Sequence, residues 1–253
     1  MNKVWTYPRR RARRLLRDFD TRYLRYRFNG VTGFVAQNEY GSYCVPEASM
    51  QRPAARTVLM GGIWERGTID YIADNCHADL VHAGTYFGDF LPALSRRLPE
   101  GSQIWAFEPN PDNYRFAEAT IRLNSLENVR LSPSGLGERQ ETVQLEVRTA
   151  ADRSMGGASR VVTAGADATL VAEVGVVALD DEIPSDRTVD LIHLDVEGYE
   201  QSVLAGGLKL IGRCRPLLVL EGLPSAAWLD QHLFPLGYRV ANKVDENTIL
   251  VAR

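Results

Sequence analysis

Short apolar runs recur along the chain near 79–83, 103–108, 129–132, 190–195 and 216–221. Between them, near 87–98, 111–124, 199–211 and 225–234, apolar residues return every three to four positions. Runs of the first kind suit strands buried on both faces, and spacing of the second kind suits amphipathic helices. Regular alternation of the two predicts a parallel sheet covered by helices on both sides. Upstream, Ile69, Ile72 and Ala73 predict a further helix over 65–76. Residues 28–60 alternate apolar and polar groups around Gly33, Gly41 and Pro46, the pattern of short antiparallel strands or an irregular lead-in. Residues 141–179 break the alternation: strand-like runs at 143–147 and 174–178 flank a small-residue segment, 154–168, read as a mobile loop over the site. At the end, 238–241 and 248–251 are joined through Asp245-Glu246-Asn247, an antiparallel hairpin expected to close the sheet edge.

The 253 residues fit one large α/β domain with an appendage better than two full domains. The expected division is a lead-in over 1–64 and a main domain over 65–253. No stretch approaches the roughly twenty apolar residues that cross a bilayer, and no apolar segment follows the basic start, so a soluble, cytoplasmic protein is expected. Cys44, Cys76 and Cys214 are odd in number and far apart, which argues against a disulfide framework or a thiolate zinc site. The net charge of −3 hides an asymmetry: the first 27 residues carry ten cations against Asp18 and Asp20, about +8, leaving about −11 for the rest. Residues Tyr23, Leu24, Tyr26 and Phe28 extend an apolar stripe along this arginine-rich segment, which reads as a helix. A cap helix on the acidic body or on a neighbouring subunit, and hence a homo-oligomer, is one use; contact with anionic lipid is another. The acidic remainder makes nucleic acid an unexpected partner.

The chemistry gathers where strands end. Leu80 to Gly88 carry an apolar run into a turn with Gly84 and Gly88, and a second run ends at Glu108, stopped by Pro109. Glycines at such a turn let the backbone approach a ligand, and an acid closing the next strand accepts hydrogen bonds from ribose hydroxyls. The turn lacks the third glycine of a dinucleotide fingerprint, which favours a cofactor without phosphates. A side chain at Gly84 is expected to fill the ligand's space more than the core. A third strand, 190–195, ends in Asp195-Val196-Glu197-Gly198. Its two carboxylates raise each other's proton affinity and supply a general base for a hydroxyl; Glu197 also fits a helix-capping role, and His193 a core histidine.

Taken in order, Ala83-Gly84-x-x-x-Gly88-Asp89, Phe107-Glu108-Pro109-Asn110, Leu179-Asp180-Asp181, Asp195-Val196-Glu197-Gly198-Tyr199-Glu200, Val203-Leu204-x-Gly206 and Arg215-Pro216 before Glu221 resemble the FkbM family of S-adenosylmethionine-dependent methyltransferases. The resemblance implies a Rossmann-like class I methyltransferase sheet, mostly parallel with an antiparallel last strand. It also implies O-methylation of a sugar, saccharide or polyketide-type small molecule. By position, Gly84, Thr85, Tyr86, Phe87 and Gly88 would line the methionine part of the cofactor, with His82, Ala83 and Asp89 as further cofactor-binding residues. Glu108, with Pro109 and Asn110, would hold the ribose, and Ser134 and Gly135 the adenine; Asp195 would face the methyl group.

The chain departs from the family at His82, Thr85-Tyr86 and His193, where an aspartate, Ala-Asn and a lysine are usual. His82 and His193 are expected to replace an ion pair across adjacent strands, titrating near pH 6 to 7 by the ordinary histidine range. With that acid gone, Glu65, Asp89 or Asp195 would hold the cofactor's amino group. Candidates for the base are Asp195, Glu197 and Glu221. No resident metal is expected, although a metal-assisted reaction using His193, Asp195, Glu197 and Glu221 is an alternative. So are a nucleotide-binding protein and a non-catalytic protein on the same fold.

Overall fold

The computed structural model describes residues 24–28, 31–148, 160–162 and 170–252. The body of the expected arginine-rich helix and most of the expected loop over 154–168 lie outside them. Strands β1 (Leu24–Phe28), β2 (Val31–Asn38) and β3 (Gly41–Pro46) form an antiparallel meander. Leu24 to Phe28 is thus strand, where the apolar stripe suggested helix: Leu24, Tyr26 and Phe28 alternate with Arg25 and Arg27, which is a period of two.

Helices α1 (Pro53–Leu59) and α2 (Arg66–Asn75) lead to the alternating body. There follow β4 (Asp79–Ala83), α3 (Leu91–Arg97), β5 (Ile104–Phe107), α4 (Pro111–Asn124) and β6 (Val129–Ser132). An insertion then supplies β7 (Gly135–Leu136), β8 (Glu141–Arg148), β9 (Arg160–Val162) and β10 (Leu170–Val177). The body resumes with α5 (Leu179–Glu182), β11 (Val189–Leu194), α6 (Glu200–Ala205), α7 (Leu208–Cys214), β12 (Leu217–Leu220), α8 (Ala226–His232), β13 (Tyr238–Val244) and β14 (Asn247–Ala252).

Seven strands make the central sheet in the order β13-β14-β12-β11-β4-β5-β6. Pairs from β6 through β12 are parallel; β14 runs antiparallel to both β12 and β13. The closing hairpin therefore inserts its second arm into the sheet and leaves its first arm at the edge. Alternate side chains build the two cores: Val81, Ala83, Ile192 and Leu194 pack on one face, Leu80, Leu191, Ile104 and Ala106 on the other. The strand order reverses between β4 and β11, and in open α/β sheets ligands bind beyond the strands' carboxyl ends at such a point.

Three local features set the site. Asn110 caps α4, its side chain accepting from the N–H groups of Asp112 and Asn113, with Pro111 at the first helical position. The helix expected over 199–211 is two helices, α6 and α7, because Gly206 passes close to the chain near Gly137: a Cβ there would lie 1.9 Å from the Gly137 carbonyl oxygen. The lead-in packs on the main body. Phe34, Tyr43, Val45, Ala55, Val58 and Leu59 share one core with Tyr86, Phe87, Phe116 and Ala119. The insertion forms a second sheet, β7-β10-β8-β9. No helix among the described residues is long and apolar enough to cross a membrane.

Candidate active site

Strands β4 and β11 run side by side with His82 opposite His193 and Ala83 opposite Leu194, so their following turns meet. Gly84 has φ +83°, and a Cβ on it would lie 1.8 Å from the Asp195 carbonyl oxygen. The glycine is required because two backbones touch, which corrects the expectation that a side chain there would chiefly obstruct a ligand. The N–H groups of Gly84 and Thr85 both donate to the Phe107 carbonyl, tying the turn to β5 (3.1 and 3.2 Å). Tyr86, at φ +54°, donates its N–H to Glu108 Oε2 at 2.7 Å, and Asn110 donates its N–H to Oε1 at 2.9 Å. Glu108 thus holds the turn after β4 and the start of α4 together. Burial pushes its carboxyl up to about 8, against the pull of those backbone donors.

Two clefts meet at Gly84 and Asp195, which line both. The first, about 570 Å³, is largely apolar: Ala83, Phe107, Glu108 and Pro109 line it from the main sheet, and Gly135, Leu136, Val143, Leu145, Val174 and Val176 from the inserted sheet. Val196 and Tyr199 complete it. The second, about 740 Å³, is lined by Arg52, Trp64, Glu65, His82, Tyr86, Asp89, Phe90, His193, Glu197 and Glu221, with Pro53 and Ala54. Of the residues singled out in the sequence, Thr85, Phe87, Gly88, Asn110 and Ser134 line neither cleft. Thr85 and Phe87 are fully buried, the former donating its hydroxyl to the His82 carbonyl. The inserted-sheet wall, Arg52 and Trp64 escaped sequence reasoning. Only the strand-like runs 143–147 and 174–178 hinted at the wall.

The second cleft is rich in acids. Oxygen atoms of Asp195, Glu197 and Glu221 lie within 4.8 Å of one another, close enough to hold a divalent ion; His193 is not part of that group. Asp195 donates its N–H to the Ala83 carbonyl and Glu221 to that of Leu194, so both follow directly from parallel strands. Glu197 occupies a left-handed conformation, φ +53°, ahead of Gly198 at +92°. Backbone of this kind at a non-glycine residue is sparsely populated and concentrates at functional sites. Burial, a hydrogen bond with Glu221 and the charges of Glu221, Glu197 and Glu65 hold the Asp195 carboxyl well above the usual carboxylate range. Asp89 is raised to about 7, first by burial and then by the charge of Glu65.

His82 and His193 face each other with Nδ1 to Nδ1 at 2.8 Å, one ring donating and the other accepting. Phe90 lies nearly parallel to both at 5.5 Å. Burial lowers His82 well below the ordinary range and His193 to about 4, so the pair is neutral and does not titrate near pH 6 to 7 as expected. The cause is desolvation: each imidazole is 2% exposed, and the partner beside it is an imidazole instead of a carboxylate.

The Methyltransferase FkbM domain matches residues 82–240, which takes in the turn after β4, Glu108, the acid group and the sheet as far as β13. The chain belongs to this family. Methyltransferase 1 of Beauveria bassiana is 28% identical over 144 residues, 50% of this chain and 57% of that protein, so the chain matches little more than half of that relative's length. The FkbM methyltransferase of Methylobacillus flagellatus is 20% identical, covering 69% of this chain and 43% of that one, with a TM-score of 0.44. A methyltransferase of Geobacter sulfurreducens is 16% identical, with 81% and 88% covered and a TM-score of 0.45. The cofactor of FkbM methyltransferases is S-adenosylmethionine, and the site fits it. An apolar slot with a buried carboxylate on its wall shares Gly84 and Asp195 with a polar cleft.

Proposed function

We propose that the protein transfers the methyl group of S-adenosylmethionine to a hydroxyl of a sugar, saccharide or polyketide-type small molecule. The observation that carries this reading is the junction: Gly84 and Asp195 belong both to an apolar slot of nucleoside character and to an acid-lined cleft. In it, Leu136, Val143, Leu145, Val174 and Val176 take the adenine, and Glu108 accepts from the ribose hydroxyls on lone pairs left over from its backbone donors. Glu65 and Asp89 face the ammonium of the amino-acid end. Bound there, S-adenosylmethionine supplies a methyl group already activated by its sulfonium. The protein's share is to align the acceptor oxygen with that methyl and to take the hydroxyl proton.

Asp195 is tied to Glu221 by a hydrogen bond, so Glu197 is the base of choice. Carboxylates beside Trp64 suit a neutral polyol better than an anionic acceptor. The test is Glu197→Gln with a panel of sugars. Turnover should fall by about 100-fold or more while affinity for S-adenosylhomocysteine stays near wild type; full activity would reassign the base to Asp195 or Glu221. One observation favours a second reading, the spacing of Asp195, Glu197 and Glu221 within 4.8 Å. Loss of wild-type activity with a chelator, restored by magnesium, would establish metal assistance.

A further inference from the structure

The amino-acid end of the cofactor carries a carboxylate as well as an ammonium. A carboxylate moved out of water needs a cation or several donors beside it. Among the described residues lining the polar cleft, Glu65, Asp89, Asp195, Glu197 and Glu221 are acids, and Arg52 is the one lysine or arginine. An ionised carboxylate repels an anion; a guanidinium receives one. It comes from the lead-in, immediately ahead of Pro53, with extended backbone (φ −79°, ψ 140°) and no side-chain cap bond to α1. Its charge is felt at Tyr86, which places the guanidinium near the turn that follows β4. Its backbone is anchored beside the turn: Ala55, Val58 and Leu59 of α1 sit in the core that holds Tyr86 and Phe87.

We propose that Arg52 binds the carboxylate of S-adenosylmethionine, so that the N-terminal lead-in completes the cofactor site. The inference rests on the S-adenosylmethionine reading above. A guanidinium presents paired N–H donors in a plane that matches the two oxygens of a carboxylate, and stays charged at any pH the fold tolerates. With the ammonium toward Glu65 and Asp89, the cleft reads both ends of the zwitterion. Arg52 then discriminates between ligands that differ by this one group. A residue that merely offsets the surrounding acids would not.

The test is isothermal titration of wild type, Arg52→Lys and Arg52→Gln with S-adenosylmethionine and with its decarboxylated form, which keeps nucleoside, sulfonium and ammonium. Arg52→Gln should weaken S-adenosylmethionine by about 10- to 100-fold, the worth of a charge-assisted hydrogen bond. It should leave the decarboxylated form within about twofold or bind it more tightly. Arg52→Lys should fall between. Equal losses for both ligands would make Arg52 a shape-holding residue, and no loss for S-adenosylmethionine would remove it from the cofactor; either result overturns the proposal. Wild-type protein that binds neither ligand overturns the cofactor reading itself, a failure visible before any variant is made.

Discussion

Gly84 and Gly198 both lie at positive φ, for different reasons. At Gly198 nothing lies within 4 Å of an added Cβ, so Gly198→Ala should cost about 1–2 kcal/mol, the left-handed penalty alone. Gly84→Ala adds a collision with the Asp195 backbone and should cost about 4 kcal/mol or more, or prevent folding. Urea midpoints of the two variants check the ranking, and equal losses would contradict the close approach. Glu108 accepts from two backbone N–H groups on separate oxygens, and an amide offers only one acceptor atom. Glu108→Gln should therefore cost about 1–3 kcal/mol and weaken S-adenosylhomocysteine binding, read by calorimetry. The histidine pair gives a pH signature. Its folded pKa values lie below the free value of 6.5, so the unfolded chain binds protons first as the pH falls. Stability tied to the pair is complete above about 6.5 and is lost toward about 4, on the order of 3 kcal/mol for His193. His193→Asn should flatten the slope of stability against pH over that window in urea titrations; an unchanged slope would place the charge-sensitive group elsewhere.

Strands and helices of the body were legible because burial on both faces of a parallel sheet leaves largely apolar runs, such as Ile104–Phe107 and Leu217–Leu220. Glu108 and Asp195 were legible for the same reason, since each ends such a run. What the sequence concealed depends on distant backbone. The break between α6 and α7 comes from Gly206 meeting Gly137, and a helical period of 3.6 carries no trace of that neighbour. Arg52 reaches the cleft only because the meander packs on Tyr86 and Phe87. Val143 and Val174 form strands on any reading, but their place over the slot follows from the β8–β10 pairing, in which they face each other. A charge on that wall should harm nucleoside binding and spare the main sheet. Val143→Asp is expected to weaken S-adenosylhomocysteine by about tenfold or more, with thermal unfolding near wild type. A large fall in melting temperature would show instead that the inserted sheet is needed for the fold.

Charge across the chain bears on the acceptor. Five carboxylates and one arginine line the polar cleft, so its field repels anions. A neutral sugar should be methylated with higher kcat/KM than its phosphorylated counterpart, by about tenfold at low salt, and the gap should narrow as salt screens the field. Equal values at every ionic strength would mean that the acids do not face the acceptor. The order of strands has another consequence. The outer edge of β12 is paired by β14, the last strand described, and β13 joins the sheet only through β14. On the ribosome, the apolar strand Leu217–Leu220 therefore stays open along one side until Asn247–Ala252 has left the exit tunnel. Until then the nascent chain presents an edge to which any passing strand can add.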